Sequence, residues 1–316
     1  MNETETISTN SVHSVSVIIP SYNSHHTIGK TLEGILNQSA LEALREIIVV
    51  DSSDDDITHD FLKSKEDKLI KVTRSGYRVI PAIQRNIGGK MAQGDLLCFV
   101  DSDAYPHKDW VKTILEAYDR GHLAGGGSYR VPDFQHNMAI AYAQYFLEFS
   151  EFIGYGKEQN KSIIASCNIF CDRRLFEKVE GFPEIRASED SLFSLKINRT
   201  NHMRYLPGAI VYHIFRENKS HFLSNQRMLG KYIYIFRRKS YNTFYYRGLM
   251  PYLFFPAFLT FKFIRIFLRV LRTNFNNFIQ FIKATPLLLR GMMAWGSGFI
   301  SGVKEYRKQS EIVNKA

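Results

Sequence analysis

DLLCFVDSDAYP, running from Asp95 to Pro106, is the stretch on which the fold turns. Leu96-Leu97-Cys98-Phe99-Val100 is a continuous apolar run of strand length, and such a run reads as a strand covered on both faces. It ends in Asp101-Ser102-Asp103. Two carboxylates one residue apart do little for a strand, but they suit a hard divalent cation. Mg²⁺ or Mn²⁺ is held by one or two carboxylates together with substrate phosphates. The plain alternative is a solvated acidic turn, since a short motif recurs by chance. The surroundings decide between them.

Upstream, Val15 to Pro20 is a β-branched run halted by proline, and reads as a buried strand. Ser21 to Gln38 carries Ile28, Leu32, Ile35 and Leu36 at helical spacing. A second strand, Glu46 to Val50, ends in Asp51; a helix around Ile57 to Lys63 and a third strand, Leu69 to Thr73, follow. Pro81 suits the first turn of a helix that runs to near Gly94. Strands alternating with helices predict a parallel sheet flanked by helices. Ligands of such sheets bind beyond the carboxyl ends of the strands, where Pro20-Ser21-Tyr22-Asn23, Asp51-Ser52-Ser53 and Asp101-Ser102-Asp103 all fall. Downstream, Gly125-Gly126-Gly127 marks a tight backbone region and Ile163 to Phe170 reads as a strand. Ser188 stands where it can cap a helix whose first turn holds Glu189 and Asp190, and His213 closes the run Ala209 to Tyr212.

The chain has 316 residues, 45% of them hydrophobic, enough for a large core. Its net charge of +10 hides a split. Residues 1–200 hold 22 Lys and Arg against 28 Asp and Glu, whereas residues 201–316 hold 19 against 3. The residues between the tail's cations are Phe, Leu, Ile and Tyr, which favours a lipid surface over nucleic acid. Lys262, Arg265, Arg269 and Arg272 are three, four and three apart and share one helix face. Two uncharged stretches, Gly248 to Phe261 and Gly291 to Val303, add to the expectation of membrane association. Neither reaches the roughly 20 apolar residues that span a bilayer. The expected organisation is a disordered start at 1–13, a catalytic domain at 14–217 and a helical, basic, membrane-associated region at 218–316. The polar start lacks the plan of a signal peptide. Three cysteines, Cys98, Cys167 and Cys171, suggest neither a disulfide framework nor a zinc site.

The ordered motifs resemble the inverting glycosyltransferases of family 2, which have the nucleotide-sugar-binding GT-A fold. The resemblance rests on Ser16-Val17-Ile18-Ile19-Pro20-Ser21-Tyr22-Asn23, on IIVVDSSDDD from Ile47 to Asp56, and on DLLCFVDSDAYP itself. Gly181-Phe182-Pro183, Glu189-Asp190 and His213 complete it, over roughly residues 14 to 215. It implies a mostly parallel mixed sheet flanked by helices. By the same resemblance Pro20, Tyr22, Asn23, Asp51, Arg85, Asp101 and Ser102 bind the nucleotide sugar, with Asp51 on the nucleobase. Asp103, Asp101 and His213 are the expected ligands of a divalent metal, Mn²⁺ or Mg²⁺. Asp190, with Glu189 beside it, is the expected catalytic base.

These roles imply a mechanism. The cation neutralises the departing diphosphate, while Asp190 takes the proton of an acceptor hydroxyl attacking from the opposite face. One displacement inverts the anomeric centre. Expected partners are a nucleotide-diphosphate sugar, a glycan or lipid-linked acceptor of cell-surface polysaccharide synthesis, and the membrane's cytoplasmic face. Processive relatives carry a Gln-x-x-Arg-Trp motif that Asn225-Gln226-Arg227-Met228 does not match, so a single addition is expected. Two other readings compete. A sugar nucleotidyltransferase needs a Gly- and Arg/Lys-rich loop after the first strand, which Pro20 to His25 does not offer; a non-catalytic nucleotide-sugar-binding scaffold at the membrane stays the alternative, disfavoured by the presence of Asp101, Asp103 and Asp190 together.

Overall fold

The computed structural model describes residues 13–240 and 243–313. The expected disordered start lies, apart from His13, outside them. Nine strands form one sheet among these residues: β1 (Val15–Ser21), β2 (Leu44–Asp51), β3 (Ile70–Arg74), β4 (Leu96–Phe99), β5 (Ala104–Pro106), β6 (Ala124–Arg130), β7 (Gln159–Lys161), β8 (Ile169–Asp172) and β9 (Met203–His213). The helices are α1 (Ile28–Leu36), α2 (Asp56–Lys63), α3 (Pro81–Met91), α4 (Trp110–Asp119), α5 (Ala139–Phe149), α6 (Arg173–Lys178) and α7 (Glu189–Ile197). A helical tail follows: α8 (Lys219–Ser240), α9 (Met250–Leu253), α10 (Phe255–Leu271) and α11 (Phe275–Val313).

The sheet runs β3-β2-β1-β4-β8-β6-β9-β5, with β7 added to β9. The β3-β2-β1-β4 half is parallel as expected. The other half is mixed, because β8 returns antiparallel between β4 and β6. β1 is buried along its whole length, as a strand sandwiched between helix layers must be. Its pairing with β4 stops at Ile18 and Phe99, while its pairing with β2 continues to Ser21 and Asp51. The next donor along β1 toward β4 would be Pro20, which has no N–H. The ladder ends there, and the strand ends part to leave a crevice.

The tight backbone expected at Gly125-Gly126-Gly127 lies inside strand β6. A Cβ at Gly126 would stand 2.0 Å from the Asn168 carbonyl oxygen, and one at Gly127 1.7 Å from that of Ala209. Three small residues are needed because β6 is pressed between backbones, so Gly127→Ala is expected to cost about 3 kcal/mol or more. Urea unfolding measures it, and a loss below about 1 kcal/mol contradicts this packing. The strand expected over Ile163 to Phe170 is instead a tight turn at Ser166–Asn168 followed by β8. Asn168 turns inward there, donating to the Ser128 and Ala209 carbonyl oxygens at 3.1 and 2.9 Å, which anchors the turn rather than extending a strand.

The tail is also packed differently from its sequence reading. Gly291 to Val303 is part of a helix crossing: a Cβ at Gly230 of α8 would meet the Trp295 oxygen of α11 at 1.8 Å, and one at Gly298 the Arg227 oxygen at 1.8 Å. Trp295, Phe299 and Val303 are buried against Tyr234 in that crossing, so this stretch is uncharged for reasons of packing. Farther along α11, Phe281, Ala284 and Leu288 join the main core, with the Phe281 ring 5.5 Å from Phe146 of α5. The tail is seated on the sheet domain through α5. No helix among the described residues is long and apolar enough to cross a membrane.

Candidate functional site

At the ends of β1 and β2 the side chains converge on Asp51, which is fully buried. Its Oδ1 accepts from the Ser53 hydroxyl at 2.6 Å, the Ser21 hydroxyl at 3.1 Å and the Ser53 N–H at 3.2 Å. Its Oδ2 has no hydrogen-bond partner, and neither has the facing His59 Nδ1, 3.8 Å away. A buried carboxylate oxygen without a donor is costly unless a ligand supplies one. Gln84 ties the same two strand ends together, donating to the Ser21 and Val50 carbonyl oxygens at 2.6 and 2.7 Å. Asn23, in the left-handed region at φ 48°, accepts from the Asp54 N–H at 3.1 Å, while its own N–H donates to the Ser53 hydroxyl at 2.8 Å. Tyr22 donates its hydroxyl to Asp54, and the Arg78 guanidinium lies 4.3 Å from its ring centroid. Pro20, Tyr22, Asn23 and Asp51 are thus brought to one side of the crevice.

Arg85 joins that side to the other. Its guanidinium, 2% exposed, donates to Asp101 Oδ1 at 2.6 Å and to Glu189 Oε1 at 2.9 Å. Burial works against its charge, but Asp101 and Glu189 outweigh that and hold it above its ordinary value. This buried bridge ties the end of β4 to the first turn of α7. Asp190 lies next to it, with Oδ1 accepting from the Ser191 N–H at 2.6 Å. Burial, and then the charge of Asp190, push Glu189 above the usual carboxylate range against the pull of Arg85. Burial raises Asp190 too, opposed by the Ser191 N–H and by Arg85. The expected Ser188 cap is not made: Ser188 is left-handed at φ 68°, and its side chain makes no capping hydrogen bond. Glu189 and Asp190 follow this bend, Glu189 engaged with Arg85 and Asp190 with the Ser191 N–H.

Asp103 and His213 face one another because β5 pairs with β9, Ala104 opposite His213, and the Ile214 N–H donates to the Asp103 carbonyl oxygen at 2.7 Å. His213 Nε2 is 3.6 Å from Asp103 Oδ1, and its buried Nδ1 has no partner. Ser102 accepts from the Thr31 hydroxyl at 3.1 Å, which fixes the turn between the two aspartates. Among the described residues no group of three metal-ligating side chains is gathered. Of the expected trio, Asp101 gives its Oδ1 to Arg85, while Asp103 and His213 face one another. That pair fits a cation completed by the phosphate oxygens of a substrate, the usual arrangement for Mg²⁺.

Three participants were not anticipated: Arg78 on Tyr22, His59 beside Asp51, and Glu189 as the second partner of Arg85. Nothing in the local sequence marks the first two, since each arrives from a separate element. The three cysteines are free and buried.

A family model described as glycosyl transferase family 2 matches residues 16–180. The UDP-Glc:alpha-D-GlcNAc-diphosphoundecaprenol beta-1,3-glucosyltransferase WfgD of Escherichia coli is 26% identical over 219 residues, 67% of this chain and 80% of its own. The validoxylamine A glucosyltransferase of Streptomyces hygroscopicus subsp. limoneus is 34% identical over 114 residues, 35% of this chain, and the match spans only 25% of that relative's length. In structure, a mannosyltransferase from Pyrobaculum calidifontis in complex with GDP-Man and Mn²⁺ superimposes with a TM-score of 0.59 at 17% identity, covering 92% of this chain and 87% of the other.

Proposed function

Because the chain belongs to glycosyl transferase family 2, we propose that it transfers a sugar, with inversion, from a nucleotide-diphosphate sugar to a hydroxyl of a lipid-linked acceptor in cell-surface glycan synthesis. The observation that carries this reading is the buried Arg85 bridge, which ties Asp101 at the end of β4 to Glu189, next to Asp190, at the start of α7. In this reading Asp51 Oδ2 accepts a ring N–H of the nucleobase. Tyr22, held by Asp54 and Arg78, lies against the base or ribose, and Asp101, Ser102, Pro20 and Asn23 line the donor. Asp103 and His213 hold a divalent cation, Mn²⁺ or Mg²⁺, which when bound neutralises charge on the leaving diphosphate.

Asp190 takes the proton of the attacking hydroxyl. A carboxylate lifted by burial is a stronger base than one in water, and the Ser191 N–H fixes its orientation. Glu189, bound to Arg85, holds the turn on which Asp190 sits. The lipid-linked acceptor is supported by the name of the E. coli relative, whose acceptor carries diphosphoundecaprenol.

The tail supports work at the cytoplasmic face of a membrane. Among the described residues, twelve of eighteen exposed large apolar side chains lie between Phe244 and Met293. An apolar concentration of that kind marks a protein or lipid contact, and the adjoining cations select lipid.

The test is a screen of purified protein with Mn²⁺ or Mg²⁺ for binding and slow hydrolysis of several nucleotide sugars. One donor is expected to be bound and turned over. Asp103→Asn is expected to lower metal-dependent turnover by about a hundredfold, a loss within the range of removing one electrostatic contact to the developing charge. Unchanged turnover in that variant contradicts the assigned metal site.

A further inference from the structure

Along α10 successive residues turn by about 100°, so Lys262, Arg265, Arg269 and Arg272 fall in one arc, and Phe261, Ile264, Leu268 and Leu271 in the arc beside it. The apolar arc faces outward: Phe261 is 63% exposed and Leu271 50%. The cationic arc flanks the seam where α10 meets the sheet domain. Arg269 is engaged with Glu151 at 2.9 Å and with the Ser150 hydroxyl at 3.3 Å. Lys262 and Arg265 have no carboxylate within ion-pair distance among the described residues, and Lys262 is instead 4.6 Å from the Trp295 ring centroid. Arg237 of α8 adds a further cation to the same seam; its Nη1 lies 3.3 Å from the Tyr246 hydroxyl. Cations so arranged repel one another. Burial first, then Arg265 and Arg237, draw Lys262 down to about 7, with Glu148 opposing.

The seam also leads toward the proposed reaction centre. Glu148 accepts from Gln226 at 2.6 Å and lies within electrostatic reach of Arg216, His213 and Lys262. The Phe149 ring lies 5.1 Å from that of His213. These cations and the site at Asp103 therefore lie on either side of one residue pair.

We propose that Lys262, Arg265 and Arg237 form a binding site for the phosphate groups of a lipid headgroup, entered from a bilayer into which the apolar arc of α10 is pressed. The occupant fits on two counts: its negative charge relieves the crowding of the cations, and its acyl or prenyl chains continue along Phe261, Ile264 and Leu268. The proposal rests on the membrane-facing reading of the tail. It adds the headgroup chemistry and the residues that read it.

The test uses the full chain and three kinds of vesicle: phosphatidylcholine alone, phosphatidylcholine with phosphatidylglycerol, and phosphatidylcholine with a polyprenyl diphosphate at matched negative charge. Lys262→Met with Arg265→Gln keeps the side-chain stems and removes the charges. At roughly fivefold in affinity per cation, that variant is expected to lose about tenfold or more on the two net-anionic vesicles and nothing on zwitterionic phosphatidylcholine. Loss on both anionic vesicles assigns the site to phosphate headgroups in general; loss confined to the diphosphate assigns it to the acceptor. Equal affinity of variant and parent on both overturns the proposal. If the double variant does not fold, Arg265→Gln alone, at an exposed position, carries the same comparison. Phe261→Ser with Leu268→Ser is expected to weaken binding to all three vesicles. Should the parent bind no vesicle, the membrane reading fails by itself. The cation site is then judged by calorimetric titration with inorganic pyrophosphate, where equal affinity of parent and double variant overturns it.

Discussion

Asp190→Asn is expected to lower kcat by about a thousandfold, within the range that a positioned general base contributes, while leaving donor affinity near that of the parent. Asn keeps the shape and can still accept from the Ser191 N–H, but it cannot take a proton. The pH dependence follows from burial. The Asp190 carboxyl is raised in the folded protein, and its active form is the deprotonated one. Activity is therefore lost as pH falls through that raised value, so the acid limb of kcat/KM lies above pH 4, the ordinary carboxylate range. The stability sign is the reverse of the usual salt-bridged acid. A group with a raised folded value binds more protons folded than unfolded, so it costs stability as pH rises between the two values. The Asn variant is free of that cost and is expected to melt no lower than the parent at pH 7. Pre-steady-state rates and a pH profile check the first point, a thermal melt the second. An acid limb at or below pH 4, or a variant within tenfold of the parent, contradicts the assignment.

Arg85→Met is expected to be the most damaging single change to the site's frame. It strands two carboxylates, Asp101 and Glu189, one of them buried. Breaking a buried ion pair from one side costs about 3–5 kcal/mol. Arg85→Lys should rescue little, because one ammonium cannot reproduce a planar fork with separate N–H groups for two carboxylates. Glu189 is raised already, and loses its opposing cation in the variant. The loss is therefore largest at neutral pH and shrinks as acid neutralises Glu189. Urea unfolding at two pH values reads both terms. A variant within about 1 kcal/mol of the parent at pH 7 contradicts the bridge as the site's structural tie.

The parallel core was legible because its strands are covered on both faces. Val15 to Pro20, Glu46 to Val50 and Leu96 to Val100 leave no polar alternation to confuse them. β5 and β7 were not, being three residues long, too short for any period to show. β6 was hidden as a strand by its glycines, whose close approach to neighbouring backbones showed in sequence only as a tight backbone region. In the site, carboxylates that follow strands stood out by position. Their partners did not, because Arg85 acts through Glu189, 104 residues away. His59 likewise comes from α2 to face Asp51. The tail showed its cationic arc in sequence, yet only packing shows that Arg269 is taken by Glu151 while, among the described residues, Lys262 and Arg265 have no carboxylate within ion-pair distance.

The central claim is a single displacement at the anomeric carbon with Asp190 as base, and proton NMR of the sugar released during slow donor hydrolysis tests it most directly. Water takes the place of the acceptor hydroxyl, and the first product formed is read before mutarotation. From an α-linked donor the account predicts the β-anomer first, at a rate that falls steeply in Asp190→Asn. The α-anomer first, or an Asp190→Asn variant that releases sugar as fast as the parent, would contradict it.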